Sequence, residues 1–166
     1  GFCFFNNDAI VAKKLIDDGH KVAILDIDGH RGDGTQEILE DEKNALCVSL
    51  HQQGVYAGDG EPFTKNAINF PLPYGTKKDL YLETLKKAIS HIKDFNPTIV
   101  AVCAGLDTFK EDHILDLKLE VETYGKIGKL LSKEFDNVFA FLAGGYHHKV
   151  LECVESFVGG VNGQTI

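Results

Sequence analysis

Continuous apolar runs and segments with helical spacing alternate along the chain. Apolar runs at 21–28, 45–50, 67–70, 98–103 and 137–142 predict strands. Apolar residues at helical spacing, with capping signals, predict helices over 7–18, 35–40, 76–94, 118–135 and 148–158. Strands without polar alternation are buried on both faces, as in parallel sheets covered by helices. The pattern therefore predicts an α/β fold, a three-layer sandwich with a mainly parallel central sheet.

Local signals refine several boundaries. Asn6 or Asn7 can cap the first helix, and Thr76 with Asp79 resembles a capping box for the third. Pro71 is expected to end the third strand, because proline cannot donate to a sheet ladder. No repeat, linker or low-complexity segment interrupts the chain, so one domain over 1–166 is predicted.

Unusual polar side chains follow three of the predicted strands. Asp26, Asp28 and His30 are spaced two apart, which places them on one side of an extended backbone. Asp107 follows a later strand after a glycine, and Tyr146 follows the last strand after two glycines. Ligands of parallel sheets bind beyond the carboxyl ends of the strands, so these side chains are expected to converge.

This convergence favours a catalytic metal site. Asp28, His30 and Asp107 offer two carboxylates and one imidazole, and three protein ligands leave a coordination position open. Mixed oxygen and nitrogen ligands suit Zn²⁺, and also Fe²⁺ or Mn²⁺. Tyr146 could donate a hydrogen bond to a developing oxyanion. The combination predicts metal-assisted hydrolysis.

Charge and composition exclude several other classes. The net charge of −8, without a basic block, argues against nucleic acid as a direct partner. No apolar run approaches the roughly 20 residues that span a bilayer, and no signal peptide is seen, so no membrane association is expected. The cysteines are widely spaced without a C-x-x-C pair, which disfavours a thiolate zinc site and fits a cytoplasmic setting.

Five segments of the chain form a recognisable series. The longest is Asp-Ile-Asp-Gly-His-Arg-Gly-Asp-Gly-Thr-Gln at 26–36. The others are Gly-Phe-Cys-Phe-Phe-Asn-Asn at 1–7, Ser-Leu-His at 49–51 with Tyr-Ala-Gly-Asp-Gly at 56–60, Ala-Gly-Leu-Asp at 104–107, and Ala-Gly-Gly-Tyr at 143–146. In sequence and order, these segments resemble the histone deacetylase family, which includes acetylpolyamine amidohydrolases and acetoin-utilisation proteins. The resemblance implies an arginase/deacetylase-like fold and a deacetylase-like catalytic domain.

The resemblance also implies a role for each matching position. Asp28, His30 and Asp107 match the zinc ligands, and Tyr146 matches the tyrosine that stabilises the transition state. The implied reaction removes an acetyl group from an acetylated lysine or polyamine. Zn²⁺ is the implied metal, with Fe²⁺ as an alternative.

Further matches concern the surroundings of the zinc ligands. Asp26 and Asp33 match acids that orient a pair of active-site histidines. Gly1, Phe2 and Tyr56 match the walls of the substrate channel. A structural K⁺ site, formed partly by backbone carbonyls, is implied at Asp26, Asp28, His30, Ser49 and Leu50.

One departure from the family pattern bears on activity. The family's adjacent histidine pair precedes the glycine that matches Gly1, and His147-His148 follows Tyr146 instead. Because the chain starts with glycine and contains no methionine, we expect it to be truncated at the N-terminus, with an incomplete fold there. Loss of a general acid typically costs about 10²–10⁴-fold in rate, so weak or no activity is expected from these residues alone.

Three alternatives remain. The chain could be a non-catalytic domain that binds a metal and acyl ligands. The run from Asp26 to Gly29, with Gly58 to Gly60, also resembles loops of haloacid-dehalogenase phosphatases, but those enzymes expect Thr or Val at His30. An arginase-like manganese hydrolase would require further Asp and His ligands in D-x-H-x-D order, which are not seen. The sequence does not indicate the oligomeric state.

Overall fold

Five parallel strands form the central sheet of the computed structural model, which describes residues 4–164. The strands are β1 (Val22–Asp26), β2 (Ala45–Gln52), β3 (Ala67–Leu72), β4 (Ile99–Ala104) and β5 (Val138–Leu142). The helices are α1 (Asn7–Asp17), α2 (Asp33–Ile38), α3 (Lys78–Phe95), α4 (Val121–Glu134) and α5 (Val150–Val161). The strand order is β3-β2-β1-β4-β5.

Helices cover both faces of the sheet. All five residues of β1 and all eight of β2 are buried, as the continuous apolar runs predict. One face packs against α3, α4 and α5 around Tyr81, Tyr124 and Phe157. The other face packs against Ala9 and Ala12 of α1. The predicted α/β sandwich with a parallel sheet is therefore confirmed.

Strand register brings the chemically distinctive strand ends to one edge. Asp26 at the end of β1 is paired with Ser49 of β2 on one side and Cys103 of β4 on the other. Ala104, one residue later in β4, is paired with Leu142 of β5. The segments that follow β1, β4 and β5 therefore leave the sheet side by side.

The expectation that Pro71 ends the third strand is wrong. Strand β3 continues to Leu72, and Pro71 is paired with His51 of β2. Strand β3 is at the edge of the sheet, and the isolated bridge on its outer side is at Ile68, so a later residue whose nitrogen points away from β2 need not donate. Proline is therefore tolerated at this position.

Two expected helix starts are also corrected. Thr76 and Asp79 do not form a capping box, because the Thr76 hydroxyl donates to the carbonyl of Pro73 at 2.7 Å. Helix α4 begins at Val121, later than expected, because Leu119 bridges to the loop after β4 instead. The first helix does begin as predicted, with Asn6 as its N-cap.

Among residues 4–164, no helix is both long enough and apolar enough to cross a membrane.

Candidate metal centre

The loops after β1 and β4 bring three potential ligands together at the carboxyl edge of the sheet. Potential ligand atoms of Asp28, His30 and Asp107 all lie within 4.8 Å of one another. His30 Nδ1 lies 3.0 Å from Asp28 Oδ1 and 3.0 Å from Asp107 Oδ2. Two carboxylates thus face one imidazole nitrogen.

Backbone amides hold both carboxylates in place. Asp28 accepts hydrogen bonds from the amide of His30 at 2.9 Å and from that of Gly144 at 3.0 Å. Asp107 Oδ1 accepts from the amide of Gly29 at 2.8 Å. A Cβ on Gly144 would lie only 2.6 Å from Asp28 Oδ2 and 2.8 Å from Asp107 Oδ2, so a larger residue would displace the carboxylates. The loops after β1, β4 and β5 form one preorganised unit.

The electrostatics of this cluster are those of a site that attracts a cation. The carboxylates of Asp107 and Asp28 raise the pKa of His30 to about 10. Burial, aided by the charge of Asp28, raises the pKa of Asp107 to about 6. Burial also opposes ionisation of Asp28, but hydrogen bonds from His30 and Gly144 outweigh it and hold the pKa of Asp28 below its usual value. Positive charge at the His30 nitrogen therefore stabilises the cluster.

The donor set fits a divalent metal. The side chain of Asp107 is fully buried, and among residues 4–164 its Oδ2 atom accepts no hydrogen bond although it faces His30 Nδ1. A buried carboxylate oxygen without a hydrogen bond is costly unless something else satisfies it. A metal bound by this oxygen, by Asp28 and by Nδ1 of His30 would satisfy it with two oxygens and one nitrogen. The ring proton of His30 would have to leave first.

The two acids expected to orient histidines bond to nearby backbone. Asp26 is 7% exposed, and its Oδ1 accepts from the amide of Asp28 at 3.0 Å. Burial, together with the charge of Asp28, raises the pKa of Asp26 well above its usual value. Asp33 begins α2 and accepts from the amide of Gly34 at 2.9 Å. Both acids therefore flank the metal cluster along one continuous segment.

The residues expected to surround a potassium ion are also close in the fold. Ser49 lies beside Asp26 in the strand register and is 1% exposed. Its hydroxyl lies 3.0 Å from Nδ1 of His51, a fully buried histidine that the sequence did not single out. Leu50, the next residue of β2, is buried as well.

Three residues are expected to line the substrate channel. Two of them, Gly1 and Phe2, lie outside the described residues.

Tyr56, the remaining channel residue, lies on an irregular loop held by Arg31. The Tyr56 side chain is 69% exposed. The next residue, Ala57, has a φ of 70°, which is strained for a residue with a side chain. The Arg31 guanidinium donates to the carbonyls of Ala57 at 2.5 Å and Gly58 at 3.0 Å, and to Gln36 at 3.1 Å. Arg31 thus connects the segment after β1, which carries Asp28 and His30, to the loop that carries Tyr56.

Replacing Arg31 with alanine should therefore release the loop that carries Tyr56. Charged hydrogen bonds contribute roughly 1.5–3 kcal/mol each, so we expect chymotrypsin to cleave after Tyr56 about 10-fold faster or more. Limited proteolysis with mass spectrometry measures the cleavage rate. Arg31→Lys keeps the positive charge but loses the planar guanidinium with its several N–H donors, so its cleavage rate should resemble that of Arg31→Ala. The distant Lys14→Ala should be cleaved at the wild-type rate. Equal rates in all four proteins would contradict this role.

Tyr146 lies on the turn after β5, two residues beyond Gly144, whose amide donates to Asp28. Its side chain is 44% exposed, and its amide donates to Asp112 Oδ2 at 2.8 Å. The neighbouring His147 is 6% exposed, and its ring stacks on Phe109 with centroids 4.4 Å apart. His147 Nε2 lies 3.0 Å from the carbonyl of Leu106. Asp112, five residues after Asp107, belongs to a segment that resembles the family, but its contact with Tyr146 and the packing of His147 join distant segments and were not expected.

Comparison with known proteins identifies the family of the chain. A family model described as the histone deacetylase domain matches residues 1–161. A probable deacetylase of Archaeoglobus fulgidus is 36% identical over 160 residues, which cover 88% of this chain and 45% of the relative. An acetylpolyamine amidohydrolase of Mycoplana ramosa is 33% identical over 157 residues, which cover 88% of this chain and 46% of the relative.

A solved structure extends the comparison to the fold. The crystal structure of an acetylpolyamine aminohydrolase from Burkholderia pseudomallei superposes with a TM-score of 0.85 at 30% sequence identity. The match covers 96% of this chain and 50% of that one. The chain thus spans about half the length of the relatives that it matches. The family model and these similarities show that the chain belongs to the histone deacetylase family.

Proposed function

We propose that the chain forms the metal-binding part of a zinc-dependent deacetylase that removes acetyl groups from acylated amines. The observation that carries the proposal is the convergence of Asp28, His30 and Asp107 around a buried carboxylate oxygen without a hydrogen bond. Relatives named acetylpolyamine amidohydrolase support an acetylated amine, either a polyamine or lysine, as the substrate. On this proposal, residues 1–166 belong to a single catalytic domain.

Each side chain has a defined task in the proposed reaction. Asp28 and Asp107 hold Zn²⁺ through carboxylate oxygens and His30 through Nδ1, with Fe²⁺ as the alternative metal. When bound, the metal polarises the acetyl carbonyl and activates water. The Tyr146 hydroxyl donates a hydrogen bond to the carbonyl oxygen as negative charge develops there.

Surrounding residues support these ligands. Asp26 and Asp33 orient the active-site histidines that the family resemblance implies, and Tyr56 lines the entrance with Gly1 and Phe2. A structural K⁺ at Asp26, Asp28, His30, Ser49 and Leu50 would offset buried negative charge near the zinc ligands. The register that pairs Asp26 with Ser49 supports this assignment.

An acetate-release assay tests the proposal. Zinc-loaded protein is incubated with acetyl-lysine peptide or acetylputrescine, first as the 166-residue chain and then joined to a segment that carries an adjacent histidine pair. Because a general acid contributes about 10²–10⁴-fold, we expect release to rise by that factor in the joined protein and to fall sharply in its Tyr146→Phe variant.

The alternative of a non-catalytic domain gives a different result in the same assay. Such a domain would bind zinc and the acetylated amine, yet the joined protein would release no acetate from either substrate. That outcome would overturn the proposed deacetylase activity.

A further inference from the structure

We infer that Asp112 is a positioning residue that fixes Tyr146 beside the metal centre. This inference rests on the proposed function, in which the Tyr146 hydroxyl acts on the substrate carbonyl. It assigns a task to a carboxylate that does not itself belong to the Asp28, His30 and Asp107 cluster.

The Asp112 carboxylate is buried and uses both of its oxygens. The residue is 8% exposed. Oδ1 accepts from the amide of Ile114 at 2.9 Å and therefore shapes its own loop. Oδ2 accepts from the amide of Tyr146 at 2.8 Å, across a separation of 34 residues. An alanine at this position offers no side-chain acceptor, so it would leave both amides without this partner.

Two carboxylates accept backbone hydrogen bonds from the segment that carries Tyr146. The amide of Gly144 donates to the metal-cluster residue Asp28 at 3.0 Å, and the amide of Tyr146 donates to Asp112. Between them, Gly145 has a φ of 141°, a conformation that glycine adopts readily and other residues rarely do. Because glycine restrains the backbone little, these contacts help to determine the path of the turn.

Two further contacts tie the turn to the loop after β4, which also carries Asp107. Leu106 donates its amide to the carbonyl of Gly144 at 2.7 Å, and its own carbonyl lies 3.0 Å from Nε2 of His147. Neither contact involves Asp112. Loss of the Asp112 contact should therefore shift the backbone at Tyr146 and leave the zinc ligands in place.

The expected effect is therefore on turnover rather than on metal or substrate binding. A misplacement of about 1 Å in a reacting group can cost around 10²-fold in rate. In the catalytically competent joined protein, Asp112→Ala should lower kcat by about 10–100-fold and change KM by less than about 3-fold. Zinc content should not change, because Asp28, His30 and Asp107 are untouched.

A double-mutant cycle tests whether Asp112 acts through Tyr146. We expect Tyr146→Phe with Asp112→Ala to be no slower than Tyr146→Phe alone, within about 2-fold, because the hydroxyl that Asp112 positions is already absent. Glu111→Gln is the matched control, since it removes a neighbouring carboxylate that lies 3.7 Å from Nε2 of the exposed His148. It should retain wild-type kcat. Multiplicative losses, or full activity in Asp112→Ala, would overturn the inference.

An independent readout separates this inference from the proposed function. In the zinc-loaded 166-residue chain, the amide of Tyr146 should exchange with solvent faster in Asp112→Ala than in wild type or Glu111→Gln. NMR measures this rate without any turnover. If no joined protein releases acetate but the amide responds, the proposed function fails and the Asp112 contact stands. If the amide does not respond, the positioning role is wrong whatever the activity.

Discussion

Replacing Asp107 with asparagine is expected to weaken zinc binding by more than about 100-fold. Loss of partners that only support a metal ligand typically costs about 10–100-fold in affinity, and Asp107 is proposed as a ligand itself. The substitution removes a negative charge at a fully buried position and can turn an amide NH₂ group toward His30. Asp28→Asn should have a comparable effect, because its carboxylate faces the same nitrogen.

Competition with a chromogenic chelator, together with elemental analysis, measures this affinity and the stoichiometry. Wild type should bind about one zinc per chain, as expected for a single three-residue site. Asp41→Asn is the matched control, because the Asp41 side chain is 93% exposed and forms a surface ion pair with Lys65. The control should bind zinc like wild type. Tight zinc binding in Asp107→Asn, or equal loss in Asp41→Asn, would show that the metal binds elsewhere.

Replacing Gly128 with alanine is expected to lower the free energy of unfolding by about 3 kcal/mol, at the upper end of the cost of overpacking. Helices α4 and α5 meet at backbone contact. A Cβ on Gly128 would lie 2.3 Å from the carbonyl oxygen of Phe157 and 2.8 Å from the nitrogen of Val161. Backbone atoms cannot rotate away as a side chain can, so the helices must separate and lose packing.

Urea titration and thermal melting measure this loss. A change of about 3 kcal/mol in a chain of this size should lower Tm by roughly 6–12 °C. Gly34→Ala provides the control, because Gly34 lies in helix α2 and its added Cβ would come no closer than 3.6 Å to another atom, Nδ2 of Asn6. Its stability should be unchanged or higher, since alanine favours a helix. A Gly128→Ala protein as stable as wild type would contradict the close packing of α4 and α5.

Features encoded in consecutive residues were predictable from the sequence. Continuous apolar runs indicated the parallel sheet, because strands buried on both faces need no polar alternation. The spacing of Asp28 and His30, with Asp107 after a later strand, indicated a shared site because the carboxyl ends of parallel strands lie at one edge. The structure places these three side chains together.

Features that depend on distant partners were not predictable in this way. Pro71 lies inside β3 because that strand is at the edge of the sheet, which local sequence does not reveal. Arg31 contacts the loop of Tyr56, and Asp112 contacts Tyr146, only because the fold brings separate segments together. Gly128 did not stand out among 17 glycines, although the approach of two helices requires it.

The most direct test of the proposed metal centre is an anomalous difference map from a crystal of the zinc-loaded protein, with data collected on both sides of the zinc edge. The account predicts one dominant peak bounded by a carboxylate oxygen of Asp28, Nδ1 of His30 and Oδ2 of Asp107, at about 2.0–2.2 Å from each ligand atom. The absence of a peak there, with zinc bound only at exposed histidines such as His148, would contradict the account.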